Sequence, residues 1–483
     1  MKDWATPGIS GEQAWQSRRH FLRLMAAGLS TSAFSGLSLF PGIKPAPGRT
    51  RPNILFIFSD QQHWQAAGFQ DPFFTTPHLD RLAEKSVVFD RMFCPTPQCS
   101  PARSSLMTGL YPSKTGVMGN MGALGGTPLS METIGRELQR AGYYTGYFGK
   151  WHLGGNPVAN AGWDDEWKKI NDPEVTKRGT HFLTKAAGGD RPFALFLSYL
   201  NPHDVYHVDP KAFNRQPPAV QKEIREISLP LSWQRETFEG KPSVQKEFMT
   251  SNQGERFYEL PRQLWQYYRY YYREKTRLYD QEMGKVLQAV RKLNLLENTI
   301  IIVTADHGDM DTNHRLIFKG PFMYEHMVRI PLVIRVPPVF HGQMARRVTR
   351  YDVMSVDLAP TIRDFAGLEE KEADGYSLRP ILTGGTLQNE RKPVIGQYYG
   401  KQQWVSPIRM VRTEQYKYNN YIHYGEELYD LHRDPNELTN QAENPEYQDV
   451  KQSLRETLDA WIAQNNDPFY SLHATHQDGE TIP

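Results

Sequence analysis

Three short apolar runs in this sequence each end in side chains able to do chemistry. Residues 53–58 stop at Ser59-Asp60-Gln61, residues 193–200 at Asn201-Pro202-His203-Asp204, and residues 299–304 lead to Asp306-His307-Gly308. Between the first two runs stand Cys99, a nucleophile only as its thiolate, and Arg103, whose planar guanidinium suits oxyanions. The carboxylates of Asp60 and Asp306 suit a hard divalent cation. Each residue alone also has an ordinary explanation. Strand-end aspartates cap helices, Lys150 and Lys319 could be surface charges, His203 a loop histidine, and Cys99 a small buried residue. The two cysteines, Cys94 and Cys99, could pair across a short loop but cannot form a disulfide framework.

The runs read as buried strands, and residues 331–336 add a fourth. Between the second and third, Met283, Val286, Leu287, Val290 and Leu293 recur on one helical face. Strands separated by helices predict an α/β fold, a large mostly parallel mixed sheet sandwiched by helices. In such sheets ligands sit beyond the carboxyl ends of the strands, where Asp60, His203 and Asp306 fall. After about residue 390 the texture changes. Residues 394–399, 408–413 and 416–422 are aromatic and β-branched, predicting antiparallel strands, and residues 450–462 have helical spacing. The expected organisation is a catalytic domain at 52–390 and a smaller C-terminal α+β subdomain at 391–483.

The first fifty residues read differently. Ser17-Arg18-Arg19-His20-Phe21-Leu22-Arg23 precedes an uncharged stretch at 24–40, too short and too weakly apolar for a spanning helix. This resembles a twin-arginine signal, so residues 1–40 are expected to engage the twin-arginine export machinery, with an uncleaved anchor as the alternative. Residues 41–51 read as a linker, and the expected location is periplasmic or secreted. With 483 residues and a formal net charge of +2, and no long basic tract beyond the N-terminus, a nucleic-acid partner is not expected.

The segment Cys99-Ser100-Pro101-Ala102-Arg103 followed by Leu106-Met107-Thr108-Gly109 resembles the formylglycine signature of type I sulfatases, within the alkaline phosphatase superfamily. Other matching elements follow in order: Asp60, Gly149-Lys150-Trp151-His152, Pro202-His203-Asp204, Asp306-His307-Gly308, and Lys319-Gly320 with Tyr324-Glu325 and Arg329-Ile330-Pro331-Leu332. Glu427-Leu428-Tyr429-Asp430-Leu431 with Asp434-Pro435 completes a resemblance covering roughly residues 52 to 465. It implies an alkaline phosphatase-like fold and hydrolysis of sulfate monoesters, of a small molecule or saccharide. Cys99 would be converted to formylglycine by a maturation enzyme, and its hydrate would attack sulfur. Arg103 and Lys150 would hold the diol and the sulfate oxygens, His152 would assist proton transfer, and His203 with Lys319 would meet the leaving oxygen.

The resemblance further implies one divalent cation held by Asp60, Gln61, Asp306, His307 and an oxygen of modified Cys99, with Ca²⁺ first and Mn²⁺ or Mg²⁺ as alternatives. Gln61 stands where many relatives carry a second aspartate, and His307 where many carry asparagine. That Asp-Gln/Asp-His set is similar to the branch of choline sulfatases and phosphonate monoester hydrolases, so a phosphodiester or phosphonate monoester is the rival substrate. A non-catalytic binding relative is a further rival. Residues 155–260 are expected to carry specificity loops, with Asp204, Tyr206 and His207 as substrate contacts. Tyr267 to Tyr272 read as helix packing, while Trp163, Trp167 and Trp233 could line the cleft or pack in the core.

Overall fold

Strand β1 (Asn53–Asp60) is buried at every position and is hydrogen-bonded on both sides in the computed structural model of the chain. The model describes residues 51–342, 345–387, 391, 393–476 and 479–482. Apart from Arg51, the signal and linker read in residues 1–51 lie outside the described residues. A strand covered on both faces carries a continuous apolar run rather than an alternation, which is why Asn53–Asp60 is legible. Successive side chains still point to opposite faces. Ile54, Phe56 and Phe58 enter one core, while Leu55 and Ile57 enter the other. Each such buried side chain contributes about 1.5–3 kcal/mol, so this strand anchors the sheet.

The remaining strands of the main sheet are β2 (Val87–Phe89), β4 (Tyr144–Gly149), β5 (Asp165–Trp167), β6 (Phe193–Pro202), β7 (Thr299–Ala305), β8 (Leu332–Arg335) and β9 (Arg346–Val348). Their order is β5-β4-β6-β1-β7-β8-β2-β9. The five strands from β5 to β7 run parallel, β8 is antiparallel to both β7 and β2, and β9 is parallel to β2. The sheet is therefore mixed and mostly parallel. The short strand β3 (Met92–Phe93) pairs with β10 (Val353–Met354).

Three helices matter most for the site, α1 (Cys99–Thr108), α2 (Asp172–Ala187) and α3 (Arg262–Lys292), while α4 (Gln448–Asn465) packs on the C-terminal strands. Val175, Phe182 and Leu183 of α2 and Met283, Val286, Leu287 and Val290 of α3 pack with Leu55 and Ile57. The tyrosine-rich stretch lies within α3, with Tyr267, Tyr268 and Tyr272 buried, as helix packing requires. Beyond the main sheet, β11 (Val394–Lys401), β12 (Trp404–Arg412), β13 (Tyr416–Tyr421) and β14 (Gly425–Asp430) form an antiparallel sheet in sequence order. No described helix is long and apolar enough to cross a membrane.

Candidate active site

Strand register brings the expected residues to one edge. Asp60 of β1 pairs with Pro202 of β6, Ser59 with Ala305 of β7, and Gly149 of β4 with Ser198 of β6. Lys150, His203, Asp60 and Asp306 therefore leave four neighbouring strands at the same carboxyl end. Gly149 is required there. It has φ 111°, and a Cβ would fall 1.9 Å from the Ser198 carbonyl oxygen. Cys99 opens α1, which ends at Gly109 in the left-handed conformation. Four residues later, on the same helical face, Arg103 turns toward the strand ends. Its Nε donates to Asp306 Oδ2 and its Nη2 to Asp60 Oδ2, both at 2.9 Å, and its Nη1 donates to Ser198 Oγ at 2.7 Å and the Lys150 carbonyl at 2.5 Å. Arg103 thus lies behind the thiol, against the two carboxylates.

Cys99 sits among charges and imidazoles. Lys319 Nζ is 2.9 Å from its sulfur, His307 Nε2 3.3 Å, Lys150 Nζ 3.5 Å and Asp60 Oδ1 3.6 Å, and His152 and His203 also engage it. Burial alone would raise the thiol, but Lys150, Lys319 and His307 hold it well below its ordinary value. Burial and Cys99 push Asp60 upward, and Lys150, His203 and Lys319 outweigh them, so Asp60 is the more acidic carboxyl. Asp306 is raised by burial and by Asp60. Burial brings His203 down to about 4.

One donor atom each from Asp60, Cys99, Asp306 and His307 lies within 4.8 Å of all the others. His307 Nδ1 is engaged by the Gly308 carbonyl at 2.9 Å, which leaves Nε2 facing the cluster. Gln61 has a left-handed backbone (φ 72°), and its Oε1 accepts from Lys319 Nζ at 2.7 Å while its Nε2 donates to Asp309 at 2.7 Å. Asp309 is pushed up to about 7 by burial and shares the Tyr268 hydroxyl. Two carboxylates and one imidazole around the Cys99 position suit a single divalent cation, so that donor set fits the implied metal, while the Gln61 amide oxygen is turned to Lys319.

A cleft of about 330 Å³ opens over Cys99, and His152, His203, Tyr206 and Lys319 line it. His152 also has a left-handed backbone (φ 58°), and its Nδ1 has no hydrogen-bond partner among the described residues. Such backbone strain concentrates at functional sites. Of the expected substrate contacts, Tyr206 reaches the cleft and stacks on Phe318 at 4.1 Å. Asp204 instead faces His207 at 3.4 Å and Lys275 at 3.7 Å. None of the three tryptophans lines the cleft. Trp163 packs among Tyr147, Trp151 and Phe196, Trp167 meets Arg178, and Trp233 packs on Trp265. Cys94 and Cys99 are both free, so the short-loop disulfide does not form; Cys94 turns toward the Met327 carbonyl instead. A separate hollow of about 490 Å³ shares no lining residue with this cleft, and its arginines are engaged locally, Arg412 by Glu325 and Arg329 on the Trp64 ring. Ser198, Asn120, Gln253 and Lys401 at the site were not singled out from sequence.

Residues 52–368 match the sulfatase family model, and residues 313–464 match the model of the N-sulphoglucosamine sulphohydrolase C-terminal region. The chain is 28% identical to a Δ4,5-hexuronate-2-O-sulfatase of Bacteroides thetaiotaomicron, over 88% of this chain and 92% of that one. It is also 28% identical to a choline-sulfatase of Rhizobium meliloti, covering 82% and 83% of the two chains. Its fold is shared with a phosphonate monoester hydrolase of Agrobacterium radiobacter, at a TM-score of 0.69 and 22% identity, covering 89% of this chain and 99% of that one. A cysteine at the start of α1, strand-end carboxylates and a family match spanning both agree, and the chain belongs to the sulfatase family of the alkaline phosphatase superfamily as a sulfuric ester hydrolase.

Proposed function

We propose that this protein hydrolyses the sulfate monoester of a saccharide through a hydrated formylglycine made from Cys99. Asp60, Asp306 and His307 would hold one divalent cation, with Ca²⁺ the first candidate and Mn²⁺ or Mg²⁺ the alternatives. The observation that carries this reading is the convergence of Lys150, Lys319, His152 and His203 on the Cys99 sulfur at the floor of the cleft. That sulfur stands in for an oxygen of the hydrate. The saccharide class is supported by the likeness to the hexuronate sulfatase.

Formylglycine would supply an aldehyde whose hydrate offers one hydroxyl to attack sulfur and a second whose deprotonation would re-form the carbonyl as the C–O bond to sulfate breaks. A cation held by Asp60, Asp306 and His307 would supply charge stabilisation for the hydrate. Lys150 and Lys319 orient the sulfate oxygens by their charges. His152, in contact with the Cys99 sulfur, would assist proton transfer at the diol, and Lys319 with His203, on the cleft side of the sulfur, would meet the leaving oxygen as the S–O bond breaks. Arg103 is a positioning residue that fixes Asp60 and Asp306.

The deciding experiment is a mass spectrum of the tryptic peptide 92–103 from cells that mature a known sulfatase. An aldehyde at Cys99 is expected, and an unmodified thiol would overturn the mechanism. The Asp-Gln/Asp-His set keeps phosphodiesters and phosphonate monoesters as the rival reading, and matched sulfate and phosphate substrates separate the two. Phosphodiester turnover exceeding sulfate turnover by orders of magnitude would favour the rival. Twin-arginine export rests on Arg18-Arg19 and the uncharged stretch after them. A fluorescent fusion to residues 1–50 is expected to leave the cytoplasm, and its retention there would refute export.

A further inference from the structure

Part of the cleft wall comes from the C-terminal sheet. Lys401 ends β11, and with Gln402 it lines the same cleft as Cys99. Its Nζ donates to the Tyr206 hydroxyl at 3.0 Å and to the Lys319 carbonyl. The ammonium groups of Lys401 and Lys319 lie 5.3 and 5.6 Å from the centre of one ring, that of Tyr206. Lys319 is matched by the sulfur and by Asp60, whereas Lys401 has no ion-pair partner among the described residues. Among the described residues, no carboxylate lines the cleft. An ammonium has three donors and Lys401 uses two. A buried, unpaired charge is costly, and an arriving anion removes that cost. In the same cleft, Gln253 Oε1 is a buried acceptor with no partner among the described residues.

We propose that Lys401 binds a second anionic group of the substrate, a carboxylate or a second sulfate near the scissile one, and that Gln253 accepts from a neighbouring hydroxyl. The inference rests on reading this cleft as the sulfate ester site. It makes the preferred substrate a sulfated sugar bearing at least two negative charges. Burial and the adjacent Lys319 pull the Lys401 ammonium well below its ordinary value, a penalty the second anion relieves.

The test is equilibrium binding to full-length Cys99→Ser protein, which needs no maturation. Three probes serve: N-acetylglucosamine 6-O-sulfate, glucosamine 2-N,6-O-disulfate and glucuronic acid 2-O-sulfate. Adding Lys401→Met is expected to weaken binding of a doubly charged probe about 10- to 100-fold more than that of the singly charged one. Lys401→Arg should retain most of the preference. Selective loss on the disulfate identifies a second sulfate, and selective loss on the uronate identifies a carboxylate. Equal loss on all three probes, or no loss on any, would overturn the proposal, because support of Lys319 and Tyr206 alone gives no charge preference. In the mature enzyme the same variant should raise KM for the doubly charged substrate more than it lowers kcat. Binding decides this proposal, while wild-type turnover of sulfate esters decides the reading on which it rests.

Discussion

At the sheet edge Arg103 joins Asp60 to Asp306 beneath Cys99. At the junction with the C-terminal sheet, Glu325 takes Arg412 at 2.9 and 3.2 Å and Lys417 at 2.9 Å, while Glu437 takes Lys417 at 2.7 Å and the Glu325 amide at 2.8 Å. Both clusters are buried, and both bind opposite charges at hydrogen-bond distance. They differ in how they end. Glu325 and Arg412 line the separate hollow of about 490 Å³, yet each carboxylate of the junction is matched by a cation or a backbone donor of the same network. The edge cluster stops at a sulfur, with Lys319, His152 and His203 facing an open cleft. Buried charge by itself therefore does not distinguish an active site from a structural brace. Groups that face a cleft without being matched inside their own network do.

The contrast can be broken in two directions. Cys99→Ala should lower sulfate ester turnover on the order of 10⁴-fold or more while changing unfolding free energy by less than about 1 kcal/mol. Undiminished turnover would sink the nucleophile assignment. Glu325→Ala should do the converse, costing about 3–5 kcal/mol because Arg412 and Lys417 lose a buried partner. Urea unfolding measures that loss, and turnover per folded molecule should be retained. If Glu325→Ala left the urea midpoint unmoved, the junction would not be a brace.

Two smaller effects sharpen the comparison. A cation bound at the edge cluster should stabilise the wild type by about 2.7 kcal/mol at a hundredfold excess over its Kd. Asp306→Asn should abolish that shift, and a persistent shift would place the cation elsewhere. The smallest effect is expected at the junction's second layer, where His314 stacks on Tyr324 at 3.9 Å and meets Glu236 at 2.8 Å. Burial lowers His314 from 6.5 to about 4. Burial would raise Glu236, but His314 and Lys241 bring it to about 2. Below pH 6.5 the unfolded chain takes up a proton that folded His314 refuses, so stability falls from there to about pH 4; Glu236 extends the fall from 4.5 toward 2. The His314 contribution is on the order of 2–3 kcal/mol. His314→Gln should flatten the upper part of that profile, and an unchanged profile would assign the acid sensitivity to other groups.

The central strands and the polar groups at their ends were legible because each is a short run whose composition reports burial on both faces. The direction of β8 was not. Residues 331–336 read equally well parallel or antiparallel, since an apolar run encodes burial and not polarity of the chain. Strands β2, β5 and β9, three residues each, are too short to set a period. The family motif drew attention to Cys99, Lys150, His152 and Lys319, yet gave no sign that Arg103 faces the two carboxylates rather than the cleft. Lys401 left no local signal at all. Its importance comes from a β11–β12 turn that reaches Tyr206, 195 positions earlier in the chain.

The depth of Cys99 also has a meaning in time. The thiol is 1% exposed in the finished fold, and its closest neighbours, His307 and Lys319, follow it by 208 and 220 positions. As synthesis proceeds from the N-terminus, the segment from Cys99 to Arg103 emerges long before the residues that seal it have been made. If Cys99 is matured as proposed above, by an enzyme that grips this segment as open peptide, that step would have to precede the folding of the late strand β7 and the loop carrying Lys319 over the thiol.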